Sequence, residues 1–265
     1  MFVLPNAPFF TPVPSPDQYL RAVLGRHELP WAASLLQTVT SELRTFIAPW
    51  AGAALRAVRP TGSCVKGTAV KGQTDFDVFV SISSDVDWSL HDLYFGLRDH
   101  LRATGLQPRQ QDVSLGIVYR GAKVDVTVGR EQPGRPGYHS IYRSRADTWT
   151  LTNVDEHVEM VRSSGRLEEI RLFKIWRRQK SIDLPSFLLE VATLLALQGR
   201  PRGYLGENLR CAFRYFALTF PVARIVDPAN SNNIVSDDLT DKEKLMVARH
   251  AAIALRSAHW TDVVR

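Results

Sequence analysis

Two aspartates, Asp75 and Asp77, stand two residues apart at the head of the apolar run Val78-Phe79-Val80. Side chains alternate across a strand, so a strand here puts both carboxylates on one face. Carboxylates held side by side repel unless a cation lies between them. Hard oxygen ligands at this spacing suit Mg²⁺, which is usually held by one or two carboxylates plus substrate phosphates. Upstream, Gly62-Ser63 offers backbone N–H groups and a hydroxyl to such phosphates, and the turn Lys71-Gly72-Gln73-Thr74 returns the chain to the carboxylates. A third acid, Asp125, lies in the alternating run Lys123-Val124-Asp125-Val126-Thr127-Val128, which also reads as a strand. Three carboxylates on adjacent strands can hold two metal ions for in-line displacement at phosphorus.

Gly62-Ser63, Asp75-x-Asp77 and Asp125, in this order, resemble the signature of the DNA polymerase β-type nucleotidyltransferase superfamily. Three later segments narrow the branch: Arg171-Leu172-Phe173-Lys174-Ile175-Trp176-Arg177-Arg178, Leu184-Pro185-Ser186-Phe187-Leu188-Leu189-Glu190, and Ile225-Val226-Asp227-Pro228 through Asn233. Together they resemble the helical lobe of 2′-5′-oligoadenylate synthetases, bacterial cyclic GMP-AMP synthase-like enzymes (the CD-NTases) and archaeal CCA-adding enzymes. The resemblance covers roughly residues 60 to 235 and implies an α+β fold. A polymerase β-like palm, with a mixed sheet and flanking helices, is joined to a helical C-terminal lobe.

Composition sets outer limits. The chain has 265 residues, enough for one large or two small domains, and its 45% hydrophobic content is that of an ordinary globular protein. Its formal net charge of +6 suits a polyanionic partner. Two cysteines, Cys64 and Cys211, leave little room for a disulfide framework, so a reducing cytoplasm is expected. No apolar run reaches membrane-spanning length, and the proline-broken start lacks the basic region of a signal peptide. The seven histidines show no zinc spacing with either cysteine, and His139 and His157 are given no role.

The elements that must position the acids follow from periodicity. Residues 1–16, with five prolines, read as an extended arm. Asp17 is placed as the cap of a short helix, and a longer amphipathic helix is expected over 30–48, with a second short helix over 51–58. Residues 78–82 read as a strand, 89–103 as a helix, and 115–119 with 124–128 as a hairpin. Gly67-Thr68 is read as opening a helix before the Asp75 strand. The Gly- and Pro-rich stretch 130–137 reads as a linker, after which helices are expected over 155–163, 167–179, 186–198, 206–218 and 239–257. The expected division is an arm and helices over 1–58, a catalytic palm over 59–135 and a helical lobe over 136–265.

Asp75, Asp77 and Asp125 are thus the expected metal ligands and catalytic acids, holding two Mg²⁺ ions, with Mn²⁺ as the alternative. Gly62 and Ser63 face the phosphates. The resemblance implies that Lys174 points at the triphosphate and that Ser186 contacts phosphate, although Ser186 reads equally as a helix cap. Phe187 reads either as a stacking face for a base or as a core side chain, and Glu190 as a brace between lobes. Lys66 and Lys71 read as solvated charges, Trp149, Trp176 and Trp260 as core, and Asp227-Pro228 as a rigid turn. The expected activity is template-independent transfer from NTPs, making a cyclic or linear oligonucleotide messenger in antiviral defence. The alternatives are an RNA or tRNA 3′-end nucleotidyltransferase and a non-catalytic nucleic-acid-binding homologue. The expected partners are NTPs, with RNA or another activating ligand possible and no membrane; oligomeric state is left open.

Overall fold

The computed structural model describes residues 15–72 and 75–265. The expected arm therefore lies almost entirely outside the described residues, as do Gln73 and Thr74 of the expected turn.

Helix α1, Pro16–Arg26, is capped by Ser15, whose hydroxyl accepts from the Gln18 N–H while the Gln18 side chain accepts from the Ser15 N–H. Asp17 does not cap its own helix. Helix α2, Ala32–Ala51, buries Leu36, Val39, Leu43 and Ile47 along one stripe. A short helix was expected to follow, but after one 3₁₀ turn the chain forms strand β1, Leu55–Thr61. The alanines favour helix, yet a waiting partner strand overrides a local preference worth less than about 1 kcal/mol per residue.

That partner is β2, Phe76–Ile82, antiparallel to β1 and joined to it through the single-turn helix α3, Gly62–Lys66. Helix α4, Leu90–Ala103, then carries the chain over the sheet to β3 (Arg109–Gln110), β4 (Leu115–Tyr119) and β5 (Ala122–Glu131). The order β1-β2-β5-β4-β3 is mixed: β5 runs parallel to β2 and antiparallel to β4. Val78, Val80, Val124 and Val126 face α2 and α4 in a shared core. The opposite face carries Asp77, Phe79 and Ser81 beside Asp125, Thr127 and Gly129.

The expected linker is instead the end of β5 and a turn closed by Gln132 N–H donating to the Tyr138 carbonyl. Strands β6 (His139–Arg143) and β7 (Thr148–Thr152) extend the sheet, β6 pairing with the far half of β5. The sheet thus runs from residue 55 to 152, past the expected limits of 59 and 135. Both added strands are short, and β7 lies at an edge with Trp149 57% exposed, so Trp149 is not a core residue and the burial contrast that marks a strand is weak.

Beyond β7 come α5 (Val154–Ser163), α6 (Leu167–Gln179), α7 (Ser186–Ala196) and α8 (Leu205–Leu218). The small hairpin β8 (Val226–Asp227) and β9 (Asn230–Ile234) precedes α9 (Asp241–Arg256) and α10 (Trp260–Val263). Phe173, Trp176, Phe213, Phe216 and Phe220 centre this second core, and α1 packs into it through Leu20, Val23 and Leu24. Asp17 helps to fasten α1 there. Its carboxylate accepts from the N–H groups of Leu205 and Gly206 at 3.0 and 2.8 Å, so it serves the start of α8.

Candidate functional site

Strand pairing assembles the acidic centre. Asp77 on β2 and Asp125 on β5 are register partners in a parallel ladder, so their side chains leave the same face side by side. Asp75 lies just before β2, exposed, and on the same parity as Asp77. Burial and then Asp125 push the Asp77 carboxyl up to about 6, against the pull of Lys66 and Lys174. Burial also raises Asp125, with Asp75 adding to it and a hydrogen bond from Gln111 opposing. Carboxylates crowded together on one partly buried face form a hole of negative potential suited to a divalent cation. Among the described residues no three His, Cys, Asp or Glu side chains are closed into a ready metal cage.

The turn beside this pair is α3. Gly62 has a φ of 70°, a conformation costly to other residues, and the Asp77 carboxylate packs against its α-carbon. Ser63 is half-buried on the first turn, and Cys64 beside it has its thiol pushed up to about 11 by burial and then by Asp77, so it is inert. Gly67-Thr68 does not open a helix. Gly67 closes α3 in the left-handed region, with the Thr68 N–H returning to the Ser63 carbonyl at 2.9 Å.

Behind α3, four residues from both lobes meet in a buried cluster. Lys66 Nζ donates to Glu190 Oε2 at 2.8 Å, and Lys174 Nζ donates to Glu190 Oε1 at 2.7 Å and Thr68 Oγ1 at 2.9 Å. The Thr68 hydroxyl lies 2.9 Å from the same Glu190 oxygen. Lys66 is 8% exposed, so it is not the solvated charge expected. A lysine tolerates such burial when its ammonium is paired and hydrogen-bonded. Two lysines share one glutamate, leaving one positive charge in excess near Asp77. Lys174 is itself only 3% exposed, and Glu190 does span the lobes.

Ser186 is exposed as the first residue of α7, with Arg177 Nη1 donating to its hydroxyl at 3.1 Å; Pro185, not Ser186, holds the cap position. Phe187 is half-buried, its ring 4.3 Å from that of His157 and under Lys66 Nζ at 5.0 Å. His157 Nε2 lies 2.7 Å from Asp227 Oδ1, and Asp227 also accepts from the N–H of Ala229 and the side chain of Asn233. Asp227 thus organises the 227–233 turn. On the Asp75 side a groove of about 760 Å³ opens between Trp31, Lys71, Phe76 and Lys123.

The sequence reading missed Gln111, whose amide donates to Asp125 at 2.7 Å. A glutamine in the polar stretch Gln110-Gln111-Asp112 carries no local signal, and only the fold of β3 and β4 brings it to Asp125.

No family model matches the chain. In sequence it is 29% identical over 207 residues to the cyclic AMP-AMP-AMP synthase of Escherichia coli strain MS 115-1, covering 69% of this chain and 64% of that protein. The match thus spans less than two thirds of the relative's length. In structure it is similar to CdnC of E. coli MS115-1 with ATP, at a TM-score of 0.75 and 22% identity over 90% of this chain and 89% of that one. CdnC has also been seen in a complex with HORMA-deltaN. The CD-NTase CdnG of Bradyrhizobium diazoefficiens with GTP gives a TM-score of 0.76 at 14% identity, over 91% and 90% of the two chains. The Cid1 poly(U) polymerase with Mg and 3′-dATP gives 0.65 at 14% identity, over 92% and 95%. The chain has the polymerase β-type nucleotidyltransferase fold and resembles its CD-NTase branch, as the order of Gly62-Ser63, Asp75, Asp77 and Asp125 led one to expect.

Proposed function

We propose that this protein is a template-independent nucleotidyltransferase that joins NTPs into a cyclic or linear oligonucleotide messenger. The observation that carries the reading is the in-register pair Asp77 and Asp125 beside the Gly62-Ser63 turn. The donor set is all carboxylate, with Asp77 and Asp125 partly buried and Asp75 exposed beside them, which fits a hard divalent cation. Asp75, Asp77 and Asp125 would hold two Mg²⁺ or Mn²⁺ ions. Such ions supply charge stabilisation at the transferring phosphoryl group and acidify the acceptor hydroxyl.

The chain's own residues do the rest. The acceptor hydroxyl oxygen bonds to the α-phosphorus of the NTP, the bond to the bridging oxygen breaks, and pyrophosphate leaves with that electron pair. Asp125 takes the hydroxyl proton at Oδ2, since Oδ1 is engaged by Gln111. Ser63 and the N–H groups of the α3 turn bind phosphate oxygens. Lys174 and Lys66 supply counter-charge from behind, with Ser186 at the phosphate edge and Phe187 against the base. Positioning of this kind supplies most of the rate when little covalent chemistry is asked of the protein.

The CD-NTase likeness favours free nucleotides as acceptors, ATP or GTP being the nucleotides bound by CdnC and CdnG. The CdnC complex supports a protein as the activating partner. The two free cysteines fit the cytoplasm, and among the described residues no helix is long and apolar enough to cross a membrane. Cid1 favours a second reading, addition to an RNA 3′ end. Labelled NTPs with Mg²⁺, with and without RNA, separate the two. A phosphatase-resistant small product from NTPs alone supports the messenger reading. Label confined to an RNA 3′ end, with affinity falling steeply with salt, replaces it with the second.

A further inference from the structure

Gln111 sits in the loop between β3 and β4, and both the nitrogen and the oxygen of its side-chain amide are hydrogen-bonded. Its amide nitrogen donates to Asp125 Oδ1 at 2.7 Å, and its amide oxygen accepts from the Ser114 hydroxyl at 3.1 Å. A carboxylate only accepts, so this arrangement also fixes which way the amide faces. The Gln111 backbone is pinned as well. The Tyr94 hydroxyl donates to its carbonyl at 2.7 Å and lies 3.2 Å from its N–H, and the Ser144 hydroxyl donates to the same carbonyl at 2.7 Å. Tyr94 is 1% exposed on α4. Space for the amide is left by Gly116, the register partner of Asp125 on β4, where a β-carbon would stand 2.6 Å from Gln111 Nε2.

The donor is neutral. A lysine or arginine in contact would cancel the carboxylate charge, whereas an amide orients it and leaves it anionic. Arg109 and Lys123 act on Asp125 through space, and no ion pair to it is formed among the described residues.

Resting on the nucleotidyltransferase reading, we infer that Gln111 is a positioning residue that turns Asp125 so that Oδ2 faces the acceptor and the metal site, with Gly116 as the gap that admits it. Groups that orient a ligating carboxylate from behind typically change metal affinity or activity by about 10–100-fold when removed.

The test uses the full chain and two independent variants. Gln111→Met keeps side-chain length and removes the donor; Gly116→Ala keeps Gln111 and displaces its amide. Each is expected to lower kcat by about 10-fold or more, with the KM for ATP within about twofold, and to weaken Mn²⁺ binding, read by water-proton relaxation, by about tenfold. The double variant should be no worse than the poorer single one, because both break the same contact. Wild-type kcat and Mn²⁺ affinity in Gln111→Met, or fully additive losses in the double variant, would overturn the inference. If Gln111→Met fails to fold, Gly116→Ala decides on the same two readouts. If the unaltered protein turns over no NTP, the functional reading fails and Mn²⁺ affinity alone still decides whether Gln111 orients Asp125.

Discussion

A β-carbon on Gly62 would stand 1.7 Å from Oδ2 of Asp77. The turn proposed to hold phosphate and the strand proposed to hold metal are therefore in van der Waals contact, and neither can move without the other.

Gly62→Ala is expected to fail twice. The left-handed backbone costs a non-glycine residue about 1–2 kcal/mol, and the methyl displaces the Asp77 carboxylate. Thermal unfolding should show the lost stability, and nucleotide transfer should fall to background. Retained turnover would separate the turn from the chemistry.

Asp77→Asn is expected to stabilise the metal-free protein while abolishing transfer. The folded carboxyl titrates at about 6 against an ordinary value of 3.8, burial being the first cause and Asp125 the second. A folded value above the unfolded one costs nothing below about pH 4; the cost grows as pH rises and is complete above about pH 6. Denaturant unfolding at pH 7 without metal should show a gain on the order of 1–3 kcal/mol for Asp77→Asn, shrinking towards pH 4. Mg²⁺ should stabilise the unaltered protein and not the variant. A gain equal at both pH values would show that the Asp77 carboxyl is not raised in the folded protein.

Glu190→Ala strands two buried lysines. Burial alone would raise the Glu190 carboxyl, but Lys174 and Lys66 hold it below its ordinary range, so its contribution is present at neutral pH and lost on acidification. Removing it should cost about 3–5 kcal/mol in chemical denaturation. Lys174→Ala leaves Glu190 paired with Lys66 and should cost less. It should weaken ATP binding far more than adenosine binding by calorimetry, and equal losses would take Lys174 away from the triphosphate.

Asp227→Ala is expected to act on stability alone. Burial opposes the Asp227 charge, but His157, Ala229 and Asn233 together hold its carboxyl below the ordinary value. The loss should be about 2–3 kcal/mol at pH 7, with turnover per folded molecule unchanged. A large fall in kcat at full folding would give the turn a part in the chemistry.

Most of the acidic centre was legible in the chain because its logic is local. A period of two places Asp75 and Asp77 on one face, and a strict alternation marks the strand of Asp125. The long helices were legible for the same reason, α6 at its observed bounds, since an apolar stripe records which side will be buried. Local patterns say little about partners. The expected helix over 51–58 runs into the start of β1 because Ala51, Ala53, Ala54 and Ala57 favour helix. β6 and β7 carry no signal because one is short and buried on both faces and the other is a short, exposed edge.

What the sequence alone determined is the set of groups: three carboxylates, a glycine-serine turn, and a helix bearing Lys174. What only the tertiary structure decided is who meets whom. The parallel register sets Asp77 against Asp125, the β3–β4 fold delivers Gln111, and the meeting of the two lobes turns Lys66 inward to share Glu190 with Lys174. These contacts join residues far apart in the chain. They exist because buried charge must find a partner, and where that partner lies is settled when the sheet and the helices pack together.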